Sequence, residues 1–356
     1  MTPPWPADDR ITRAVMDCLR DGSWARYDHD RLENFELMLA DSLGAAHAVL
    51  AGSGTQAMEH ALAAVEISAG ARVALSAYDF PGNFLTIHAL GAHPVLVDAD
   101  PATGQMDPAS LETNLRQFGV SAVVVSHLHG GVADLPAILS LCQRHGAALI
   151  EDCCQSPGAV LNGRMLGTWG RAGVVGFGGG KPVSCGRGGA VVSNDPVVAQ
   201  RIRLRSQRGT RLSVPGNLQL AALTPQLAIL KETMEAMSAG FERLRGELGK
   251  SEEWSMLTQT PKGTPGGTYR LGLMSVSAES RQRQIDRAKA MGLPVEAGFR
   301  AIHAGRASGR YEAADALPGA TECGKRMMTL PGDLVRHGRE RLDEILSKCR
   351  DWVAGH

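Results

Sequence analysis

The chain has 356 residues, of which 44% are hydrophobic and 21% are charged. This composition is typical of a soluble globular protein, and the length predicts about two domains or one large domain with an appendage. The 37 basic and 37 acidic residues balance. Nothing in the charge therefore favours binding to nucleic acid or to an anionic membrane.

The seven cysteines have no paired spacing, so they predict neither a disulfide framework nor a zinc site. No apolar run approaches the roughly 20 residues that a membrane-spanning helix needs. The first residues, MTPPWPADDR, lack the charged and then apolar pattern of a secretion signal. We therefore expect a cytoplasmic protein without a metal site.

In chain order, the predicted elements begin with an arm and a short helix, followed by a helix over residues 31–43. Apolar runs of strand length then alternate with helical patterns. The predicted strands are 47–51, 72–77, 93–98, 121–126, 147–151, 172–177 and 189–193, and the predicted helices are 55–68, 82–91, 109–117, 134–145 and 224–248. Apolar strands separated by helices predict an α/β fold, with a mostly parallel sheet covered by helices.

This pattern divides the chain into three parts. The predicted parts are an N-terminal arm with a short helix (1–30), a large domain (31–245) and a smaller C-terminal α+β domain (246–356). Ligands of open parallel sheets bind beyond the carboxyl ends of the strands. The turns that follow the strands are therefore where a site is expected.

The first such turn, AGSGTQ at residues 51–56, joins a strand to a helix. Its glycines allow an anion to approach the backbone closely. The helix N-terminus offers unpaired N–H groups, and Ser53 and Thr55 add hydroxyl donors. The turn predicts a phosphate site around Ser53, Gly54 and Thr55, although an ordinary N-capped helix has the same pattern.

Two further turns carry groups suited to a planar, positively charged ring. The turn after the second strand contains Tyr78 and Phe80, and an aromatic side chain here either lies on such a ring or packs under a loop. Glu151 and Asp152 end a buried strand, where a carboxylate needs a partner. The protonated pyridine nitrogen of pyridoxal phosphate (PLP) is such a partner, and a pair of surface acids is the alternative.

A lysine follows three glycines in the sequence GFGGGKPVS. Lys181 is thus carried by a backbone that other groups can approach closely, and lysine is the side chain that forms Schiff bases with carbonyl groups. The Walker phosphate loop requires Ser or Thr after its lysine, and here Pro182 follows. Together the four turns predict a PLP site in which Lys181 forms the Schiff base.

Six blocks, in the same order, resemble the DegT/DnrJ/EryC1/StrS sugar aminotransferase family. They are SGTQAMEHAL, AYDFPGN, HPVLVDADPATGQMDP, HLHG, IEDCCQSPGA and GFGGGKPVSCGRGGAVVSND. The resemblance is strong over residues 32–245 and looser to about residue 335. It implies the PLP-dependent transferase fold of type I, and usually a homodimer.

The resemblance also implies a role for each matching residue. Lys181 would hold the cofactor and move a proton between cofactor and substrate, and Asp152 would pair with the pyridine nitrogen. Gln155 would contact the phenolic oxygen of the cofactor. Phe80 would stack on its ring.

Further contacts are implied at the phosphate and at the substrate. Gly54 and Thr55 would bind the phosphate, and Asn217, in VPGNLQL, would reach the phosphate held by the neighbouring subunit. His129 stands in place of the tyrosine of H-x-Y-G, and His303 lies in a segment loosely like the family's substrate-facing loop. These two histidines are the candidate substrate residues.

Three positions depart from the family pattern. Gly176 stands where most members have a serine five residues before the lysine, Gln219 stands where G-x-N-x-R has arginine, and His129 is the third. Loss of one hydroxyl–phosphate hydrogen bond would weaken cofactor binding by about 1–3 kcal/mol, unless Ser184 or a water molecule replaces it.

The expected function is PLP-dependent transfer of an amino group from a donor such as glutamate to a keto sugar, nucleotide-linked or free, or to a keto cyclitol. Other PLP chemistry, such as that of a dehydratase or lyase, and a PLP-fold binding or regulatory protein with little turnover are the alternatives. The expected partners are these small molecules and a second subunit with composite active sites. The arm, with Trp5 and Trp24, and the helix from about Ala222, with Leu227, Ile229 and Leu230, are the expected interface.

Overall fold

The computed structural model describes residues 8–26, 29–206, 214–258, 269–336 and 339–355. In these ranges the strands are β1 (His47–Ala51), β2 (Arg72–Ser76), β3 (His93–Val97), β4 (Ala99–Asp100), β5 (Gln105–Met106), β6 (Val120–Ser126), β7 (Ala148–Asp152), β8 (Val160–Leu161), β9 (Arg164–Met165), β10 (Ala172–Gly176), β11 (Gly189–Ser193), β12 (Trp254–Met256), β13 (Arg270–Ser275), β14 (Glu296–Ala297) and β15 (Met327–Pro331). The α-helices are α1 (Asp9–Arg20), α2 (His29–Ser42), α3 (Gly54–Ala64), α4 (Pro81–Ala89), α5 (Pro108–Gln117), α6 (Leu135–His145), α7 (Pro196–Ser206), α8 (Asn217–Ala228), α9 (Leu230–Leu248), α10 (Ala278–Ala290), α11 (Pro318–Arg326) and α12 (Arg339–Ala354).

A seven-stranded sheet forms the centre of the larger part, in the order β1-β11-β10-β7-β6-β2-β3. The five strands from β10 to β3 pair in parallel, and β11 is antiparallel to both of its neighbours. The predicted mostly parallel sheet is therefore confirmed. Because its strands are buried on both faces, they consist largely of valine, alanine and leucine.

Helices cover both faces of this sheet, as predicted. On one face, α2, α5, α6 and α8 contribute to a core that includes Phe35, Leu111 and Ile138. On the other face, α3, α4 and α7 contribute to a second core that includes Met58 and Ile87. The chain crosses between these layers at the strand ends, which places the connecting turns together at one edge of the sheet.

A smaller α+β part follows, built on an antiparallel sheet in the order β12-β13-β15-β14. Its core joins this sheet to α10, α12 and the C-terminal half of α9, with Trp254 stacked on Trp352 at 4.2 Å between ring centres. Phe241 and Leu244 belong to this core, so its packing begins before residue 245. The three-part division of the chain stays a prediction.

The long helix predicted over residues 224–248 was wrong as a single element. It is two helices, because Ile229 leaves the helical range at φ −116° and ψ 18°. The first of them, α8, begins already at Asn217.

The N-terminal helix α1 packs against α8 within the same chain. Leu227 and Leu230, which we expected at a subunit interface, are buried in the chain's own core. Trp24 is 53% exposed, and Trp5 lies outside the described residues. None of the helices in the described ranges is long and apolar enough to span a membrane.

Candidate active site

A cavity of about 520 Å³ lies at the carboxyl ends of the parallel strands, between the central sheet and the smaller part. Residues from five separate loops meet in its wall. The wall contains Ser53, Gly54, Thr55, Phe80, His129, Asp152, Gln155 and Lys181. The structure thus brings together all the candidate site residues except Asn217 and His303.

The turn before α3 forms one end of the cavity. Ser53 caps the helix, and its Oγ accepts a hydrogen bond from the Gln56 N–H at 3.1 Å. The N–H groups of Gly54 and Thr55 have no hydrogen-bond partner among the described residues, as is usual in a first helical turn. Packing behind the turn is tight, since a Cβ on Gly189 would lie 2.5 Å from the Ser53 carbonyl carbon. The turn therefore offers two N–H groups and the positive end of a helix.

Lys181 extends into the cavity past a glycine. A Cβ on Gly176 would lie 3.0 Å from Lys181 Cε and 3.4 Å from its Nζ, so glycine leaves room for the lysine side chain. The ring of Tyr269, with its centre 5.3 Å from Nζ, lies beside the amine. Ser184 does not line the cavity, because its Oγ donates to Gly179 O at 2.6 Å. In this geometry Ser184 thus holds the lysine loop.

The two acids that end β7 point to opposite faces of the sheet, because side chains alternate along a strand. Asp152 lines the cavity, where its Oδ2 accepts from Asn83 Nδ2 at 2.9 Å and its Oδ1 accepts from the Cys154 N–H at 2.9 Å. Glu151 is fully buried behind it. Its oxygens accept three backbone N–H bonds at 2.6–2.8 Å, from Gly167, Trp169 and Gly170. Glu151 therefore anchors a loop, and Asp152 is the acid that a ligand can reach.

Phe80 and Gln155 flank the middle of the cavity. The ring of Phe80 is 43% exposed and lies 6.0 Å, centre to centre, from that of Phe299. Gln155 Oε1 accepts from the His129 N–H at 3.0 Å, which leaves the amide N–H groups of Gln155 for a ligand. Burial lowers the pKa of His129 to about 3, so this side chain is neutral and bonded through Nε2 to Tyr78 Oη at 2.9 Å.

A sequence model of the DegT/DnrJ/EryC1/StrS aminotransferase family matches residues 7–348 of the chain. The chain belongs to this family. It is 38% identical over 205 residues to the L-glutamine:scyllo-inosose aminotransferase of Streptomyces griseus. The matched region covers 56% of this chain and 48% of that protein. It is also 31% identical over 302 residues to the L-glutamine:2-deoxy-scyllo-inosose aminotransferase of Streptomyces fradiae, covering 75% of this chain and 70% of that protein. The chain spans about half the length of several curated relatives that it matches.

The fold agrees with this assignment. A crystal structure of a DegT DnrJ EryC1 StrS aminotransferase from Brucella abortus superposes with a TM-score of 0.86 at 26% identity. The superposition covers 97% of this chain and 95% of that one. The resemblance to the DegT/DnrJ/EryC1/StrS family is therefore confirmed, together with the α/β class.

Two departures from the family pattern have local explanations. Gln219 binds backbone groups on both sides, donating through Nε2 to Arg187 O at 2.8 Å and accepting at Oε1 from the Gly216 N–H at 2.9 Å. His129 fits because Gly272 faces it, since a Cβ on Gly272 would lie 2.9 Å from the Cβ of His129. These side chains are thus integrated into the fold of this family member.

Several cavity residues come from the smaller part, and sequence reasoning missed them. Arg270 lies in the wall with its Nη1 2.9 Å from Glu296 Oε2 and 3.0 Å from Thr329 Oγ1. Tyr269 lies in the wall beside Lys181. No strand-end pattern marked these positions, because they approach the site only through the packing of the second sheet.

Asn217 and His303 lie away from the cavity wall of their own chain. The Asn217 Nδ2 donates to the carbonyl oxygens of Ser23 and Arg26, at 2.7 and 3.0 Å. His303 pairs through Nε2 with Thr321 Oγ1 at 3.1 Å. The expectation that His303 faces the substrate therefore has no support in this geometry, because its ring is held against α11.

Proposed function

We propose that this chain is a PLP-dependent aminotransferase, which moves an amino group from an amino-acid donor to the keto group of a cyclitol or of a free or nucleotide-linked sugar. One observation carries the proposal: the turn before α3, Asp152 and Lys181 face a single cavity. Relatives that are named for L-glutamine and for scyllo-inosose support glutamine as the donor and a keto cyclitol as the acceptor.

The two ends of the cavity fit the two ends of PLP. The N–H groups of Gly54 and Thr55, the Ser53 hydroxyl and the positive end of α3 would hold the phosphate. At the far end, Asp152 would pair with the protonated ring nitrogen, since a carboxylate stabilises an adjacent cation. Gln155 would donate from its amide to the phenolic oxygen.

Phe80 and Lys181 complete this fit. The exposed ring of Phe80 would cover one face of the cofactor. Bound PLP supplies an electron sink that allows an amino group and a keto group to exchange. The Nζ of Lys181 would hold the cofactor between turnovers and would carry the proton to and from the substrate carbon.

Arg270 would bind the carboxylate of the amino donor. Glu296 and Thr329 hold its Nη1 and Tyr269 is a further hydrogen-bond partner, which leaves other N–H groups of the guanidinium for an anion. Burial opposes the charge, but the hydrogen bond with Glu296 raises the pKa of Arg270 above its usual value. The change Arg270→Lys should raise KM for glutamine about tenfold, because lysine cannot form paired bonds with a carboxylate. An unchanged KM for glutamine with a raised KM for the keto acceptor would assign Arg270 to the acceptor instead.

A homodimer with composite sites forms part of the proposal. Asn217 does not line its own cavity, so any cavity that it serves belongs to a partner subunit. The contact requires its amide to turn away from Ser23 and Arg26, whose carbonyl oxygens it binds in this chain. Mixing Lys181→Ala and Asn217→Ala subunits tests this, because one hybrid site carries both lesions and the other site is complete. Hybrid dimers that regain no activity from two impaired parents would contradict the shared site.

The transfer itself is tested with L-glutamine labelled with ¹⁵N at its α-amino group. PLP-loaded protein is incubated with the donor and scyllo-inosose, then with a series of keto sugars, and products are identified by mass spectrometry. We expect the label in an amino cyclitol. Loss of water without transfer of the label would indicate a dehydratase or lyase, and bound PLP without any product would indicate a binding protein.

A matched pair of lysine variants controls this experiment. Lys181→Ala should abolish transfer, whereas Lys289→Ala, which removes an exposed lysine from α10, should leave it unchanged. Transfer that survives in Lys181→Ala would refute the role of this lysine. The cytoplasmic location stays a prediction.

A further inference from the structure

A second carboxyl group lies behind Asp152. Asp79, in the turn between β2 and α4, is fully buried and does not line the cavity. Its Oδ1 accepts from the Phe80 N–H at 2.6 Å, and its Oδ2 accepts from Ser126 Oγ at 2.9 Å. The proposed function gives this acid no role, although its carboxyl group accepts hydrogen bonds at both oxygens.

One amide joins the two acids. Asn83 Nδ2 lies 2.9 Å from Asp152 Oδ2, 3.2 Å from Ser126 Oγ and 3.5 Å from Asp79 Oδ1. The amide nitrogen of Asn83 has two protons, so it can donate to both acids. Because it is neutral, it supplies no positive charge to compensate two carboxylates. In the parts of the chain described, no lysine or arginine donates a hydrogen bond to either carboxyl group.

The hydrogen bonds from Ser126, Phe80 and Asn83 lower the pKa of Asp79, but burial and the charge of Asp152 outweigh them. Burial, and next the negative charge of Asp152, raise its pKa to about 8. The neighbouring Cys154 thiol also stays neutral, because burial and Asp152 raise its pKa well above the usual value. Lys181 acts in the opposite direction on Cys154, and Arg187 and Arg270 also line the cavity that Asp152 faces. Near neutral pH Asp79 is therefore mostly protonated beside the negative charge of Asp152.

We propose that Asp79 and Asp152 share one proton in the cofactor-free protein, and that a cationic pyridine ring binding at Asp152 displaces this proton from Asp79. The positive charge of the ring compensates the negative charge of Asp152. Ionisation of the nearby Asp79 therefore becomes less unfavourable. The Asp79 O–H bond breaks, and the proton passes to solvent. Asp79 is thus a positioning residue, which acts on the cofactor through Asn83 and Asp152. This inference rests on the proposed function, because it takes PLP as the ligand.

The test counts protons instead of turnover. Cofactor-free wild-type protein and Asp79→Asn are titrated calorimetrically at pH 7 with pyridoxamine phosphate, in two buffers of different ionisation enthalpy. This probe has no aldehyde, so Lys181 does not react with it. We expect the wild type to release nearly one proton more per site than the variant, and the difference to vanish well above pH 8. Equal proton numbers at pH 7 would overturn the proposal.

The affinity for pyridoxamine phosphate should depend on pH for the same reason. Binding to the wild type must remove a proton below about pH 8, so its Kd should fall relative to that of Asp79→Asn as the pH rises. The ratio should change by up to about tenfold per pH unit and become constant above pH 8. Glu151→Gln, an acid-to-amide change on the opposite face of β7, is the matched control and should keep the wild-type proton number. A Kd ratio that is independent of pH would contradict the proposal.

Stability gives a second measurement that does not depend on the cofactor. The pKa of Asp79 is raised in the folded chain from 3.8 to about 8, so its contribution to stability is complete below about pH 4 and is lost as the pH rises to about 8. Asp79→Asn should lack this loss, and parallel curves of stability against pH would overturn the shared proton. If pyridoxamine phosphate binds neither protein, the proposed function fails, and the stability curves then decide this inference separately.

Discussion

Replacing Glu151 with glutamine tests the division of labour between the two acids at the end of β7. The carboxylate of Glu151 accepts three backbone N–H bonds in a fully buried position. His127 Nε2 also lies 3.7 Å from Glu151 Oε2. That nitrogen carries the ring proton, since His127 Nδ1 accepts from the Ala133 N–H. The three backbone groups and His127 around the carboxylate are therefore donors, and either orientation of a glutamine amide would point its N–H groups at a donor.

The size of the effect follows from these contacts. A hydrogen bond to a charged acceptor contributes about 1.5–3 kcal/mol, and a buried donor without a partner costs about 1–3 kcal/mol. Glutamine removes the charge and at least one of the bonds, so the free energy of unfolding should fall by about 3 kcal/mol. For a chain of this size we expect the Tm of the cofactor-free protein to fall by about 5 °C.

Scanning calorimetry of the cofactor-free protein measures this change, because bound cofactor would add its own stabilisation. Asp152→Asn is the control at the adjacent residue. This variant should change Tm by less than about 2 °C, because the amide also removes a negative charge next to the buried Asp79. It should nevertheless lose most turnover. An unchanged Tm in Glu151→Gln, or a larger loss of Tm in Asp152→Asn, would refute the assignment of Glu151 to structure and Asp152 to chemistry.

Three further predictions address the cavity. Lys181→Ala should lose the visible absorption of lysine-bound PLP and should take up no label from borohydride, and labelling of the variant would identify another lysine. Because burial lowers the pKa of His129 from 6.5 to about 3, its contribution to stability is complete above about pH 6.5 and is lost as the pH falls to about 3. Urea midpoints should therefore decrease less steeply toward acid pH in His129→Gln, and identical slopes would contradict this. Gly189→Ala should weaken PLP binding about tenfold in a fluorescence titration, because its Cβ would lie 2.5 Å from the backbone of Ser53. Gly246→Ala, where a Cβ meets nothing within 4 Å, should bind PLP normally.

Local patterns in the sequence were enough to predict the α/β class and most strands of the central sheet. The predicted strand over 47–51 is β1, and the predicted strand over 189–193 is β11. These predictions succeeded because a strand or a strand-end turn depends on residues within about ten positions of each other. The turn at Ser53 and the loop of Lys181 are patterns of this local kind, and both line the cavity.

Local patterns were insufficient wherever distant segments meet. The strand-end pattern did not distinguish Glu151 from Asp152, and only the family resemblance singled out Asp152, because their roles depend on which face of β7 meets the loop at Gly167. Nor did it indicate Arg270, which reaches the cavity through the packing of the second sheet. Side-chain contacts between residues far apart in the chain are decided by the joint packing of both sheets and their helices, and only the tertiary structure contains that information.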